Sequence, residues 1–350
     1  MPASLAAKWM RAQMLVSLGE LELRSLPRPV AGVDEVVMRV RAALTCGTDI
    51  KTYLRGHPKF PMPTLFGHEF AGELTDVGSQ VQGFREGDAV MAVPSAPCGQ
   101  CYHCERQQEN LCATLFDDYV LGGYAEYLKL PGRIVRTNLF HKPTHLSFNE
   151  AALLEPLSCV VHGLQQITVR PDDTVVLIGA GAISLLHVLV LRAMGVEQVV
   201  VIGRNAQRAA FAHRAGATVV LTEPPLTARA AVLDLTDGRG ADVVIECTGQ
   251  VEVWEAAPAL VRRGGAVVLF GGCAAGTTAR FDTQRLHYEQ LSIVSPFHFT
   301  PRAVRAAYDW LASGKLDTSA LISGQFPMDE LPAALASHQR GDGVKFAVIP

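Results

Sequence analysis

The first part of the chain consists of short runs in which hydrophobic and polar positions alternate or apolar residues follow one another. Turn residues break these runs, as in Pro27-Arg28-Pro29 and Glu86-Gly87-Asp88. Several short strands with regular breaks are typical of an all-β domain. The pattern therefore predicts a small β-barrel-like domain, with strands at residues 21–26, 35–40, 71–77, 89–93 and 124–129.

After Pro156 the pattern changes, and short apolar runs alternate with longer segments of helical periodicity. Strands that alternate with helices predict βαβ units and hence a parallel, doubly wound sheet, the Rossmann type of α/β fold. The predicted strands are 175–178, 198–202, 218–221, 242–246, 266–270 and 291–294. The predicted helices are 183–194, 205–215 ending at Gly216, and 251–262 closed by Gly264-Gly265.

The C-terminal segment does not extend this alternation. A helix at 303–312 and a closing strand at 344–349 are expected to return to the first domain. The predicted domains are thus 1–157, 158–294 and a return to the first domain at 295–350. Residues 1–9 predict no element, and we interpret them as either a disordered tail or a misassigned start.

The composition favours a small-molecule partner. The 350 residues are enough for two domains, and 49% of them are hydrophobic. No apolar run approaches the ~18 residues of a membrane span, and the start lacks the apolar core of a signal peptide. A net charge of −3 with both signs interspersed argues against nucleic-acid binding.

The stretch Gly179-Ala180-Gly181-Ala182-Ile183-Ser184 follows a predicted strand and opens a predicted helix. Such a turn presents backbone N–H groups and the positive end of a helix dipole to a pyrophosphate. Ser184 stands where the GxGxxG fingerprint has its third glycine. On these residues alone, a dinucleotide site and an ordinary strand-to-helix turn remain alternatives.

Four of the eight cysteines cluster in one segment. Thiolates at this spacing can close a tetrahedron around a structural zinc ion. The alternative, four free surface thiols, would be prone to oxidation. In a chain without an evident disulfide framework, the cluster also indicates the reducing cytoplasm. His103 lies inside the segment and is interpreted as a bystander to the ligands Cys98, Cys101, Cys104 and Cys112.

A second set combines Cys46, His68, Glu69 and Glu155 from distant segments. Mixed cysteine, histidine and carboxylate ligands are typical of catalytic zinc, which keeps one position open for water or an alcohol. On spacing alone, ordinary core residues are an alternative.

The motif Gly67-His68-Glu69-x2-Gly72-x5-Gly78-x2-Val81 resembles the zinc-containing alcohol dehydrogenase signature of the medium-chain dehydrogenase/reductase family. The cysteine segment, the glycine turn and the domain order are also similar to that family over nearly the whole chain. Glu155-Pro156-Leu157-Ser158 is similar to the sorbitol (L-iditol) and polyol dehydrogenase branch. The resemblance implies a GroES-like β-barrel catalytic domain beside the Rossmann domain.

The resemblance also implies roles for single residues. Cys46 and His68 match catalytic zinc ligands, and Glu69 and Glu155 match carboxylates that complete the site directly or through water. Thr48 matches the hydroxyl that contacts the alcohol and passes its proton outward. Asp49 is expected to orient His68, as metal-bound imidazoles usually require. Two zinc ions per chain are therefore expected.

Lys51 stands where the classical alcohol dehydrogenases have a proton-relay histidine, and either a relay role or a solvated lysine is compatible with the sequence. The family also implies a homodimer or homotetramer. Val267 to Phe270 and Leu291 to Val294 are the expected strand edges for that association.

The second strand of the alternating region indicates which dinucleotide binds. Where an NAD enzyme has a carboxylate against the ribose 2′-hydroxyl, this chain has Gly203, followed by Arg204 and, one turn later, Arg208. Without a carboxylate, a 2′-phosphate is not repelled, and arginine can bind it bidentately. NADP is thus favoured over NAD, unless Arg204 is only a solvated residue. The residues expected to contact the cofactor are Gly179, Gly181, Ala182, Ile183, Gly203, Arg204 and Arg208.

These features predict a zinc-dependent oxidoreductase that transfers hydride between NADP, or NAD, and a secondary alcohol such as a polyol, sugar alcohol or cyclitol. The alternatives are a threonine or amino-alcohol dehydrogenase and, from another class, a non-catalytic NADPH-binding protein. Family position suggests four residues near the substrate, each of which could equally belong to the core or rim: Tyr53, Phe60, Phe116 and His298.

Overall fold

The computed structural model describes residues 8–350. Of the residues 1–9 discussed above, positions 1–7 lie outside the described residues. Trp9 begins the first strand. The strands are β1 Trp9–Ser17, β2 Glu20–Pro27, β3 Val36–Leu44, β4 Thr64–Leu65, β5 Phe70–Val77, β6 Ala89–Ala92, β7 Tyr127–Leu130, β8 Leu139–His141, β9 Thr174–Ile178, β10 Gln198–Ile202, β11 Val219–Leu221, β12 Ala241–Glu246, β13 Val261–Leu269, β14 Ser292–Val294, β15 Ile322–Pro327 and β16 Lys345–Ile349. The α-helices are α1 Gly47–Arg55, α2 Tyr102–Glu105, α3 Gly132–Asn138, α4 Phe148–Ala151, α5 Leu154–Leu164, α6 Ala182–Ala193, α7 Ala206–Ala215, α8 Pro225–Asp234, α9 Val251–Ala256, α10 Thr283–Tyr288, α11 Pro301–Ala312 and α12 Leu331–Arg340.

The chain forms two compact units. The first runs up to Ser158 and also contains Thr300–Gly314 and Ile322–Pro350, and the second contains Cys159–Phe299 and Lys315–Leu321. The division thus falls inside α5. Compared with the expected boundaries, the second unit extends five residues beyond position 294 and takes in a further short segment.

The first unit is built on a seven-stranded sheet and a three-stranded sheet. The larger sheet has the order β15-β16-β3-β5-β6-β8, with β7 also paired to β3, and the smaller one has the order β2-β1-β4. Buried apolar side chains from most of these strands form one core around Phe70 and Tyr124. Because β16 pairs with β3, the C-terminal strand lies next to the strand that leads to Cys46.

The second unit contains a six-stranded sheet of order β11-β10-β9-β12-β13-β14, in which every pairing is parallel. Numbered from β9, this is the order 3-2-1-4-5-6 of dinucleotide-binding folds. Strands β9 and β10 are almost entirely buried, because helices cover both faces of a parallel sheet. The predicted doubly wound sheet is confirmed.

Two details of the predicted second half are wrong. The helix expected at 251–262 ends at Ala256 and continues as a 3-10 turn, Ala257–Leu260, before β13 begins. Pro258 lacks the N–H that an α-helix would need there. Gly264 and Gly265 consequently lie within β13 rather than at a helix end. The second wrong detail concerns the strand edges expected for association: β13 is an interior strand, and of the two expected edges only β14 lies at the side of the sheet.

In the first half, β7 begins three residues later than expected and is followed by a helix, α3, that the hydrophobic pattern did not predict.

Among the described residues, no helix combines the length and apolar character that crossing a bilayer would require.

Candidate active site and dinucleotide cavity

Helix α1 begins at a capping box that also positions Cys46. The Cys46 Sγ atom accepts a hydrogen bond from the Thr48 N–H at 3.4 Å, and the Asp49 carboxylate accepts one from the Cys46 N–H at 3.1 Å. These bonds satisfy N–H groups that a helix start leaves unpaired. The sulfur of Cys46 is therefore held at a defined position at the start of the helix.

Asp49 also fixes the ring of His68. Its Oδ1 atom lies 3.0 Å from His68 Nδ1, and its Oδ2 atom accepts a hydrogen bond from the Tyr124 hydroxyl at 2.7 Å. Burial opposes ionisation of Asp49, but attraction to His68 and the accepted hydrogen bonds outweigh it and lower the pKa of Asp49. A carboxylate at Nδ1 leaves Nε2 as the nitrogen with a lone pair for a metal ion. The orienting contact expected for Asp49 is present.

Glu69 is held by a lysine from the far end of the chain. The Lys345 ammonium group donates to Oε1 at 2.7 Å, to Oε2 at 2.6 Å and to the Thr45 carbonyl oxygen at 3.0 Å. The side chains of Glu69 and Lys345 are 0% and 2% exposed. Burial opposes the charge on Lys345, but attraction to Glu69 outweighs it, so the pKa of Lys345 is raised. Lys345 is a site residue that the sequence analysis missed.

Three of the four residues expected to bind catalytic zinc lie together. The ligand atoms of Cys46, His68 and Glu69 all lie within 4.8 Å of one another. In the part of the chain that the structure describes, Glu155 is not a member of this group. Glu155 is nevertheless buried in α5 and is influenced electrostatically by His68 and Glu69. Burial is the main cause that raises the pKa of Glu155, to about 7.

Aromatic rings lie near this cluster. The Phe60 ring lies 4.2 Å from His57, 6.3 Å from Phe116 and 5.1 Å from Tyr119. His57 and Tyr119 both interact electrostatically with His68. Phe60 and Phe116, two of the residues expected near the substrate, therefore belong to an aromatic group that interacts with His68, one of the possible metal ligands.

The other residues expected near the substrate have different surroundings. The Tyr53 hydroxyl donates to the Gly19 carbonyl oxygen at 2.6 Å. His298 belongs to the second unit, has a φ of 59° and stacks on Phe299. Thr48 and Lys51 are exposed on α1.

The four-cysteine segment forms a second possible metal site, because its sulfur atoms all lie within 4.8 Å of one another. The sulfur of Cys104 lies 3.6 Å from that of Cys101 and 4.0 Å from that of Cys98. Backbone N–H groups, that of Ala113 above all, lower the pKa of Cys101 to about 6, whereas burial raises the pKa of Cys104 to about 12. The structure brings together all four expected ligands.

A cavity of about 350 Å³ lies at the carboxyl ends of the parallel strands in the second unit. Gly179, Gly203, Arg204 and Arg208 line it, as expected for cofactor contacts. Gly181, Ala182 and Ile183 stand at the N-terminus of α6 and are not among its lining residues within 8–350. Further lining residues that the sequence analysis missed are Asn205, Glu223, Thr248, Gln250 and Glu252.

Comparison with known proteins identifies the two domains of the chain. Residues 32–138 match the alcohol dehydrogenase GroES-like domain, and residues 182–313 match the zinc-binding dehydrogenase domain. The chain is 32% identical to D-altritol 5-dehydrogenase of Agrobacterium fabrum, over 92% of this chain and 94% of that one. It is 29% identical to sorbitol dehydrogenase of Bacillus subtilis, over 97% of both chains.

The chain belongs to the zinc-containing alcohol dehydrogenase family. It is therefore an enzyme, an alcohol oxidoreductase, with a GroES-like and a Rossmann domain. The fold of this dehydrogenase is also similar to a solved NADP-bound structure from Sinorhizobium meliloti 1021. The TM-score is 0.88 and the identity 30%, over 98% of this chain and 100% of the other.

The cysteine segment of the dehydrogenase fits a tetrahedral zinc ion. Four sulfurs bound at ~2.3 Å in a tetrahedron are separated by ~3.8 Å. The measured separations of 3.6 and 4.0 Å bracket this value. The set of Cys46, His68 and a carboxylate fits zinc as well, because it supplies the nitrogen, sulfur and oxygen ligands that zinc accepts.

The cavity also fits a dinucleotide. Gly179 has a φ of 110°, which favours glycine, and it precedes the helix N-terminus that faces a pyrophosphate in this fold. Gly203 has a packing reason of its own, because a Cβ atom there would lie 2.6 Å from the Cβ atom of Ala180. The absence of a carboxylate at position 203 is thus explained without reference to a cofactor, and the two arginines carry the argument for NADP.

Proposed function

We propose that this dehydrogenase oxidises a secondary alcohol of the polyol, sugar-alcohol or cyclitol class to the ketone, with NADP as the hydride acceptor. The observation that carries the proposal is the cluster of half-buried Cys46 with buried His68 and Glu69, in which Asp49 fixes the imidazole. Such a mixed ligand set leaves a coordination position for substrate, unlike four cysteines. The similarity to a sorbitol and a D-altritol dehydrogenase supports a polyhydroxylated substrate.

In this proposal Cys46 and His68 hold a zinc ion, and Glu69 or Glu155 completes the site directly or through water. When bound, zinc supplies Lewis acidity toward a hydroxyl oxygen, and the dinucleotide supplies the hydride acceptor. Asp49 keeps the proton on His68 Nδ1. Burial raises the pKa of Glu69, and Lys345 opposes this effect and holds the carboxylate in place.

The proton of the substrate hydroxyl needs a route to water. The Thr48 hydroxyl is exposed at the start of α1 and, in the proposal, accepts this proton while it passes its own proton on to water. Glu155, with a pKa raised to about 7 by burial, can hold or release a proton near neutral pH. Lys51 is exposed on α1, like Thr48, and offers a further relay to solvent.

The proposal is tested with a panel of polyols, cyclitols, simple secondary alcohols and L-threonine, each assayed with NADP and NAD. We expect the highest kcat/KM for a polyhydroxylated alcohol with NADP. A maximum for L-threonine would instead favour an amino-alcohol dehydrogenase. Zinc-loaded protein that binds NADPH but turns over none of these compounds would favour a non-catalytic NADPH-binding protein.

The cofactor preference gives a first prediction. Replacing both arginines, Arg204→Ser and Arg208→Ser, is expected to weaken NADPH binding by at least about tenfold, because hydrogen bonds to a charged phosphate are lost. NADH binding should change by much less. The measurement is a fluorescence titration of each nucleotide against the zinc-loaded protein.

A matched control for this variant is Arg214→Ser. Arg214 lies on α7, the helix that carries Arg208, and its guanidinium group packs on the Phe211 ring at 4.3 Å. It should leave both affinities unchanged. An unchanged ratio of NADPH to NADH affinity in the double variant would contradict the assignment of NADP.

The cysteine segment gives a second prediction. We propose that it binds a structural zinc ion, so that a fully loaded chain holds two. Cys101→Ser is expected to reduce the content to one zinc per chain and to lower Tm, because the binding energy of a structural zinc contributes to folding. Metal analysis and a thermal melt measure the two effects.

The matched control is His103→Ala in the same segment, where the His103 ring lies 3.4 Å from Gln108 Oε1 rather than among the sulfurs. This variant should keep both zinc ions. A wild-type protein that holds a single zinc ion when saturated would refute the two-site proposal.

We also propose a cytoplasmic homodimer or homotetramer. Strand β14 is the outer strand of the six-stranded sheet, and an outer strand can pair with that of a second copy. Light scattering should give two or four times the mass of one chain.

A further inference from the structure

Glu246 ends strand β12 and is 0% exposed. In residues 8–350, no lysine, arginine or histidine forms an ion pair with it. Instead, its Oε1 atom accepts hydrogen bonds from the Thr248 N–H at 2.5 Å, from the Thr248 hydroxyl and from the Gly249 N–H at 3.0 Å. Burial raises the pKa of Glu246, and these donors counteract that effect. A carboxylate buried without a cation is costly, so its hydrogen bonds to the following loop are what stabilise it.

The same residue also contacts the loop after the neighbouring strand. Its backbone oxygen accepts hydrogen bonds from the N–H groups of Phe270 and Gly271, both at 3.0 Å. A Cβ atom on Gly271 would lie 2.9 Å from Glu246 Oε2 and 2.3 Å from the Gly249 nitrogen. Glu246 therefore joins the loops that follow β12 and β13, and these loops pack too closely for a side chain at 271.

The loop that Glu246 holds forms one wall of the dinucleotide cavity. Thr248 and Gln250 line the cavity, and Gly179 lines it as part of the glycine turn. The Thr248 methyl carbon lies 3.2 Å from the position that a Cβ atom would take on Gly179. Any displacement of Thr248 would therefore change the space beside the glycine turn.

We propose that Glu246 is a positioning residue for the dinucleotide, which clamps residues 248–250 as a preformed wall of the cavity. This inference rests on the proposed function, because it takes the cavity to hold the cofactor. Glu246 does not line the cavity and acts through Thr248. A preformed wall increases affinity, because binding does not have to order the loop.

The test uses the zinc-loaded protein and a fluorescence titration with NADPH. The variant Glu246→Gln keeps the side-chain shape but removes the charge that strengthens three accepted hydrogen bonds. We expect it to raise the Kd for NADPH by about tenfold. The KM for NADP should rise correspondingly, while kcat at saturating NADP and the zinc content stay as in the parent.

Asp242→Asn is the matched control. Asp242 is a carboxylate near the other end of the same strand, where it accepts hydrogen bonds from the Thr174 N–H at 2.8 Å and from Arg262 Nε at 2.5 Å. This variant should lose thermal stability without a change in the Kd for NADPH. Equal weakening of binding in both variants would mean that general stability, rather than the clamp, sets the affinity, and the proposal would be overturned.

A second variant, Thr248→Val, removes one bond to Glu246 while keeping the side-chain shape. We expect it to raise the Kd for NADPH by a smaller factor than Glu246→Gln. If Glu246→Gln does not fold, an unchanged Kd in Thr248→Val overturns the proposal. If the parent protein binds neither NADPH nor NADH, the proposed function fails. If the parent and Glu246→Gln bind NADPH with the same Kd, only the clamp proposal is refuted.

Discussion

Cys46→Ser is expected to lower kcat/KM for the alcohol by at least about a thousandfold. A Lewis-acid metal contributes several kcal/mol to such a reaction, and each ~1.4 kcal/mol corresponds to a factor of ten. Stability should change little, because serine is a good residue for the start of a helix and can replace the capping contact that Cys46 makes with Thr48. Steady-state kinetics and a thermal melt measure the two effects.

Cys273→Ser is the matched control for this prediction. Cys273 is another half-buried cysteine, outside both groups of possible metal ligands. It should keep the kcat/KM of the parent. A Cys46→Ser variant that holds as much zinc and turns over as fast as the parent would rule out Cys46 as a ligand of the catalytic metal.

Lys345→Met is expected to lower the free energy of unfolding by about 3–5 kcal/mol. Removing one partner of a buried ion pair leaves the other charge without compensation, and that loss is larger than the net contribution of the pair. Here the uncompensated charge would be Glu69, which is fully buried. The double variant Glu69→Gln with Lys345→Met should recover part of the loss, because it removes the stranded charge. Urea unfolding measures all three proteins.

Lys129→Met provides the control for a surface pair. The Lys129 ammonium group lies 2.9 Å from the Glu35 carboxylate, with the lysine side chain 43% exposed. Solvent screens such a pair, so we expect a loss below about 1 kcal/mol. If Lys345→Met and Lys129→Met had the same free energy of unfolding, Lys345 would not be needed to compensate the charge of Glu69.

The parts of the site that could be predicted are those with a local signal. The four clustered cysteines lie in one segment between residues 98 and 112, and Cys46 and Asp49 lie within one helical turn. The glycine turn was predictable because it joins a strand to a helix at adjacent positions. In each case the geometry follows from a few backbone dihedral angles, and distant residues are not needed to set it.

The parts that were missed depend on contacts between distant segments. Lys345 lies 276 positions from Glu69, and no local pattern connects them. A charged residue inside the apolar run Val344 to Ile349 was the available signal, since a buried lysine requires a partner. Thr248 could have been found from the rule that the carboxyl ends of parallel strands line one site.

The error in the second half has a similar origin. Gly264-Gly265 resembles a helix end in the sequence, but Pro258 had already ended the helix. Glycine is compatible with both a helix end and a strand. The helix end should therefore have been assigned from Pro258, which precedes the two glycines in the chain.

The pairing of Glu69 with Lys345 has a consequence for synthesis. The chain emerges from its N-terminus, so Cys46, His68 and Glu69 exist long before Lys345 does. Until then Glu69 cannot be buried as an ion without a large loss of free energy, and β3 lacks the neighbouring strand β16. The side chains of Cys46, His68 and Glu69 therefore reach their final environment only after the whole Rossmann domain has been synthesised.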